Sequence, residues 1–150
     1  MKIALGSDHG GYELKEHIKK FLEEKNIEYV DYGTYTTESV DYPDFGHKVA
    51  KAIKQGECDR GIVCCGTGIG ISISVNKVPG IRCALVSDCY SAKMSREHND
   101  ANVLALGGRV VGVNLALEIV DVWLKTEFQG GRHQRRVDKI KGIEEMYSRG

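Results

Sequence analysis

Gly61-Ile62-Val63-Cys64-Cys65-Gly66-Thr67-Gly68-Ile69-Gly70-Ile71-Ser72-Ile73-Ser74 is the stretch from which the fold can be read. Ile62 to Cys65 is a short apolar run, partly β-branched, of the kind that fills a parallel strand buried on both faces. Glycine then recurs at every second position, so the strand ends at Cys65. Gly66, Gly68 and Gly70 open backbone conformations closed to other residues, and the N–H groups from Gly66 to Gly70 can converge on one point that attracts negative charge. A helix running to about Lys77 would add its own positive end to that point. Cys65 stands at the lip. A thiol beside an anion-stabilising loop points to carbanion or acyl chemistry more than to plain phosphate binding. Cys64, its neighbour, faces the other side of the strand and reads as core. The same glycines could instead close a dinucleotide site, because Asp88 lies 22 residues beyond Gly66; Ile71, however, occupies the place of that fingerprint's third glycine.

Strand, loop and helix recur along the chain. Lys2 to Gly6 reads as a first strand, followed by Ser7-Asp8-His9-Gly10-Gly11 and a helix with Leu14, Ile18, Phe21 and Leu22 at helical spacing. Asp8 and His9 therefore fall at a strand's carboxyl end, where open α/β sheets bind ligands, although Asp8 serves equally well as a helix cap. Glu28 to Tyr32 is a second strand, Gly33 to Asp41 a polar loop, and Pro43 opens a helix carrying Phe45, Val49, Ala52 and Ile53. Tyr42 before it could stack on a sugar or cover a core edge. Ile81 to Val86 is a fourth strand, Asp88 to Asn99 a helix, and Val103 to Leu106 a fifth strand that leads to Arg109. The spacing predicts a helix over Val113 to Lys125, so broadly apolar that it needs two surfaces to pack against: the sheet and, by this reading, a second copy of the chain. A last helix follows Arg132, which shares a face with Arg136 four residues on; a solvated basic face is the ordinary reading of such a pair, and gripping a phosphate the functional one. Five βα units in order make a three-layer α/β/α domain with a parallel sheet.

With 150 residues the chain is sized for one domain, and with 21 basic and 21 acidic residues it has no global field to draw it to nucleic acid or membrane. No apolar run approaches a membrane span, and the start lacks a signal-peptide pattern, so a cytoplasmic protein is expected. Cysteines 58, 64, 65, 83 and 89 are odd in number and contain no Cys-x-x-Cys pair, which favours free thiols over a disulfide framework or a zinc site.

Six motifs spread along the chain carry a family resemblance: Gly6-Ser7-Asp8-His9-Gly10-Gly11, Asp41-Tyr42-Pro43, Cys65 to Ser72, Ser95-Arg96-Glu97-His98-Asn99-Asp100, Gly108-Arg109-Val110-Val111 and Gly131 to Arg136. With these the sequence closely resembles the RpiB type of ribose-5-phosphate isomerases, within the family that also holds allose- and galactose-6-phosphate isomerases. The resemblance implies a Rossmann-like five-stranded sheet in the order 2-1-3-5-4. It also implies interconversion of ribose 5-phosphate and ribulose 5-phosphate, a pentose phosphate pathway reaction, through a cis-enediolate with no metal or other cofactor, and a side activity on allose 6-phosphate. Under it Cys65 is the base that moves the proton between carbons 2 and 1, and His98 opens the furanose ring. Thr67 and the amides of Gly66, Thr67, Gly68, Ile69 and Gly70 hold the enediolate oxygen. Asp8, Tyr42 and Asn99 meet the sugar, and His9, Arg109, Arg132 and Arg136 the phosphate. A homodimer or tetramer with sites shared across the subunit boundary is implied as well, with a C-terminal helix at about 133–148 packing on the partner. Against this stand a nucleotide-binding module built on Asp88 and a sugar-phosphate sensor that would need the arginines but no thiol.

Overall fold

The computed structural model describes residues 1–148. Its strands are β1 (Lys2–Ser7), β2 (Glu28–Asp31), β3 (Arg60–Cys65), β4 (Cys83–Leu85) and β5 (Val103–Gly107). They form one sheet in the order β2-β1-β3-β5-β4, with every neighbouring pair parallel. The helices are α1 (Tyr12–Glu24), α2 (Tyr42–Lys54), α3 (Ile69–Val75), α4 (Cys89–Glu97), α5 (Val113–Lys125) and α6 (Arg132–Tyr147).

Alternation along each strand sorts the core into two layers. Ile3, Leu5, Ile62, Cys64, Leu104 and Leu106 face α1, α4 and α5, whereas Ala4, Val63, Cys65, Val103 and Ala105 face α2 and α3. The assignment follows from handedness. Right-handed crossovers put the helices of leftward steps along the sheet, β1 to β2 and β4 to β5, on one face and those of rightward steps on the other. Strand order reverses between β1 and β3, so the loops that leave them part toward opposite faces and open a crevice at the carboxyl edge.

Element ends depart from the sequence reading where side chains take over backbone partners. Asn102 Oδ1 accepts the Arg82 N–H at 2.8 Å and Ile81 N–H turns back to Val78, so β4 begins only at Cys83. The Asp41 backbone is extended and α2 starts one residue before Pro43, at Tyr42. α4 stops at Glu97, ahead of His98 and Asn99.

The apolar breadth of α5 has an explanation inside the chain. Ala116, Ile119, Val120, Trp123 and Leu124 are buried, and Leu117 and Val122 pack against the same cluster, because α5 is flanked by both α1 and α4. The second surface expected from a partner is therefore supplied by neighbouring helices, leaving only Val113 and Leu115 among its large apolar side chains exposed. Exposed apolar groups collect elsewhere. α6 buries only His133 and Val137 and presents Ile140, Ile143, Met146 and Tyr147 to solvent. No helix among the described residues is long and apolar enough to cross a membrane.

Candidate active site

Three loops meet at the crevice, those leaving β1, β3 and β5, and they approach so closely that side chains are excluded between them. A β-carbon on Gly10 would lie 2.9 Å from the Gly66 nitrogen, and one on Gly108 would lie 2.7 Å from the Gly10 carbonyl oxygen. Backbone bonds join the same loops: Gly108 N–H donates to the Cys65 carbonyl and Arg109 N–H to the Gly66 carbonyl, each at 2.9 Å.

Asp8 is buried at the end of β1, and its Oδ1 accepts the N–H groups of Gly10 (2.9 Å) and Gly11 (3.1 Å). Asp8 is therefore not the cap of α1, whose N-cap is Gly11 with no side-chain bond; one of its carboxylate oxygens shapes the turn before the helix, and the other has no partner among the described residues. His9, Gly10, Glu13, Thr37 and Arg109 line a cavity of about 310 Å³ beside it. Arg109 lies over the glycine loop, its Nη1 3.3 Å from where a β-carbon of Gly66 would be.

The side chain of Cys65 is 5 % exposed and belongs to the α2–α3 side of the core. Its sulfur nevertheless turns up to the loop, where Gly68 N–H donates to Sγ at 3.1 Å. Gly68 can do so because it adopts φ +79°, a left-handed conformation at the start of α3. The amide cradle is consequently smaller than the glycine spacing implies. The Gly68 N–H is spent on sulfur and the Ile69 N–H on Thr67 Oγ1 at 3.2 Å, which leaves those of Gly66, Thr67 and Gly70 without a partner among the described residues. Tyr42 packs its ring against Gly70, where a β-carbon would lie 2.5 Å from the ring. Burial pushes the thiols of Cys64, in the core, and Cys83, at its margin, well above the ordinary cysteine range. All five cysteines are free.

His98, Asn99, Arg132 and Arg136 are not at this crevice. α4 returns the chain from the carboxyl end of β4 to the amino end of β5, so His98, its C-cap, lies at the opposite edge of the sheet from Cys65. Local bonds agree: Arg82 Nε, just before β4, donates to the Asn99 carbonyl at 3.0 Å, and Gly61 N–H, at the start of β3, donates to the Asn102 carbonyl at 2.9 Å. His98 stacks there on His133, with ring centroids 4.2 Å apart and planes 10° from parallel. Arg132 and Arg136 flank His133 on the first turns of α6, both exposed. The sequence motif contains His133, but spacing alone gave it no function; it is buried, like Val137 one turn on, on the inner face of α6.

Burial, then the neighbouring charges of His98, Arg132 and Arg136, holds the His133 pKa below its ordinary 6.5, with Glu97 opposing. The unfolded chain thus binds a proton at His133 more readily than the folded one. Stability from this site is full above about pH 6.5 and declines as pH falls below that toward the depressed folded value. Urea denaturation at pH 7.5 and pH 5.5 should show a loss that His133→Gln reduces; an unchanged pH dependence in the variant would remove His133 as its source.

Asp88, on which the nucleotide-binding alternative rests, is an exposed N-cap of α4 that accepts the Ser91 N–H at 2.7 Å. That bond holds its carboxyl below the usual carboxylate range and accounts for the residue without a nucleotide. Among the described residues no group of three or more histidine, cysteine, aspartate or glutamate side chains is placed to hold a metal ion.

Residues 3–140 match the family model described as Ribose/Galactose Isomerase. Ribose-5-phosphate isomerase B of Escherichia coli (strain K12) is 53% identical over 144 residues, which cover 96% of this chain and 97% of that protein. Among solved structures, Clostridium thermocellum ribose-5-phosphate isomerase B superposes with a TM-score of 0.97 at 67% identity, over 98% of this chain and 99% of that one. A Thermotoga maritima ribose 5-phosphate isomerase gives 0.92 at 52% identity, over 94% and 97%.

Proposed function

Because the chain belongs to the ribose/galactose isomerase family, we propose that it interconverts ribose 5-phosphate and ribulose 5-phosphate through a cis-enediolate, with the Cys65 sulfur as the base. The observation that carries this reading is the Cys65 Sγ lying under a loop whose Gly66, Thr67 and Gly70 amides are unspent. In the forward direction the hydrogen on carbon 2 of the open-chain aldose leaves as a proton to Sγ. Its electron pair becomes the carbon 1–carbon 2 double bond, and the carbonyl electrons move onto oxygen 1. The hydroxyl proton of oxygen 2 passes to oxygen 1. Collapse of oxygen 2 to a carbonyl then draws the proton from Sγ onto carbon 1. Charge develops on oxygens that are neutral in the sugar, so preformed N–H donors stabilise the transition state more than the ground state. Asp8 Oδ2 would take a sugar hydroxyl, Tyr42 would wall the sugar site, and His9 with Arg109 would take the phosphate. No metal enters these steps.

Ring opening and the remaining phosphate contacts are assigned to His98, Asn99, Arg132 and Arg136 of a second copy. Support for this comes from topology: within one chain these residues lie at the sheet edge opposite Cys65, and a twofold pairing that set the amino edge of one copy against the carboxyl edge of the other would complete both sites. The sparsely buried α6, with its exposed Ile140 and Ile143, is the arm proposed to lie on the partner. Chemistry at carbons 1 and 2 also fits other phosphorylated aldoses, allose 6-phosphate included, with the longer chain discriminated by roughly 10- to 200-fold.

The test is incubation with ribose 5-phosphate in deuterium oxide, following ribulose 5-phosphate and deuterium at carbon 1. Product carrying solvent deuterium is expected. Binding without turnover would instead make the chain a sugar-phosphate sensor.

A further inference from the structure

His9 makes a bond that none of the roles above uses. Its Nδ1 accepts the backbone N–H of Val40 at 3.2 Å, from the loop between β2 and α2. A ring nitrogen that accepts an N–H carries no hydrogen of its own, so the imidazole hydrogen sits on Nε2. Nε2 is then a donor.

The loop that supplies Val40 is fastened at its root. Gly33 O accepts the Ser7 N–H and Thr34 N–H donates to Ser7 O, both at 2.7 Å, directly beside the Asp8–His9 turn. Gly33 N–H donates to Asp31 Oδ1, and the Tyr35 hydroxyl donates to the Asp31 carbonyl, each at 2.9 Å. Asp31 itself is gripped by Lys15, whose Nζ is 2.7 Å from both carboxylate oxygens and whose side chain is 1 % exposed. Lys15 is on α1, the helix that leaves the Asp8–Gly11 turn. The ion pair therefore ties the root of one loop to the helix that carries the other. Lys19 Nζ also reaches the half-buried Asp31 carboxylate, at 3.1 Å, so Asp31 would keep a cation without Lys15. Burying the Lys15 ammonium carries a desolvation cost that an apolar side chain of the same volume does not, so its presence is poorly explained as a source of stability alone.

We propose that the Lys15–Asp31 pair is a positioning device. It clamps the loop from Gly33 to Val40 against the Asp8–Gly11 turn, keeps the Val40 N–H on His9 Nδ1, and so fixes His9 as the Nε2–H tautomer. The ring then offers a hydrogen-bond donor to an oxyanion, a phosphate group, in the cavity it shares with Arg109. Lys15 and Asp31 act through His9 and touch no substrate. The identity of the oxyanion rests on the functional reading above; the tautomer does not.

Long-range proton–nitrogen spectra of the full chain, labelled with ¹⁵N, read the tautomer without ligand. His9 is expected to show a protonated Nε2 and an unprotonated Nδ1, and the reverse pattern would overturn the proposal. Lys15→Met with Asp31→Leu removes both charges of the pair, while Lys19, which loses Asp31, keeps its ion pair with Glu16 at 3.0 Å. In that variant His9 is expected to show both tautomers, while KM for ribose 5-phosphate rises about tenfold and kcat stays within about threefold. A single Nε2–H form with unchanged KM would refute the device. Should the double variant fail to fold, Val40→Pro deletes the donor itself and must produce the same mixture and the same KM rise, their absence counting equally against the proposal. A chain inactive on ribose 5-phosphate that still shows the Nε2–H ring would defeat the functional reading alone.

Discussion

Cys65→Ser is expected to lower turnover of ribose 5-phosphate by about a thousandfold or more, because a hydroxyl in place of the thiol is a far poorer proton acceptor at neutral pH and general-base removal typically costs 10²- to 10⁴-fold. Solvent deuterium should no longer enter carbon 1. Binding should survive, since Asp8, His9, Arg109 and the free amides of Gly66, Thr67 and Gly70 belong to other loops or to the backbone. A ribulose 5-phosphate dissociation constant within about tenfold of the unmodified chain is expected by calorimetry. The loss would thus fall on kcat. Serine is the better first substitution, because Cys65 is packed into the core and alanine would open a cavity under the loop. Retention of more than a tenth of the normal turnover would take the sulfur out of the mechanism.

The second large effect concerns restoration. Cys65→Ser and His98→Asn chains should each be nearly inactive alone. Mixed and allowed to exchange subunits, they should regain about a quarter of normal specific activity, since half of randomly paired twofold dimers are hybrids and each hybrid rebuilds one of its two sites. The expectation follows from the two edges of the sheet: under the proposed sharing, the hybrid's good site would take Cys65 from one chain and His98 from the other, while its second site would have neither. If each chain carried a whole site, mixing would restore nothing. His98→Asn keeps a polar side chain at the α4 C-cap, where the His98 N–H donates to the Met94 carbonyl at 2.8 Å through the backbone and is untouched by the change.

Much of this architecture could be read from residue pattern. The central apolar run and its glycines located β3 and α3, and the alternation of Cys64 and Cys65 put the two thiols on opposite faces of the strand, as found; both are buried, one in each core layer, and only the Cys65 sulfur is bonded by the loop. Strand order came from the family resemblance and not from the residues, because no local pattern records which strands become neighbours; the order 2-1-3-5-4 is the one observed. What pattern misjudged was partnership. The width of the α5 apolar face is filled by α1 and α4, a packing that periodicity along one helix does not contain. Five converging amides shrank to three because a sulfur and a hydroxyl nearby took the other two, and side chains compete for donors in ways that glycine spacing cannot register. The His98–His133 stack and the Val40–His9 bond each join segments tens of residues apart, so neither leaves a sequence signal beyond the presence of the residues.

The placement of Cys65 and His98 at opposite ends of the strands has a consequence for how such a chain behaves in a cell. Under the proposed pairing, a newly made polypeptide can fold fully and still be chemically silent until it meets its twin. Output then grows faster than linearly with the number of chains while copies are scarce, and a defective allele silences part of the product of a sound one. Abundance would set not only how much catalyst there is but whether any given molecule works at all.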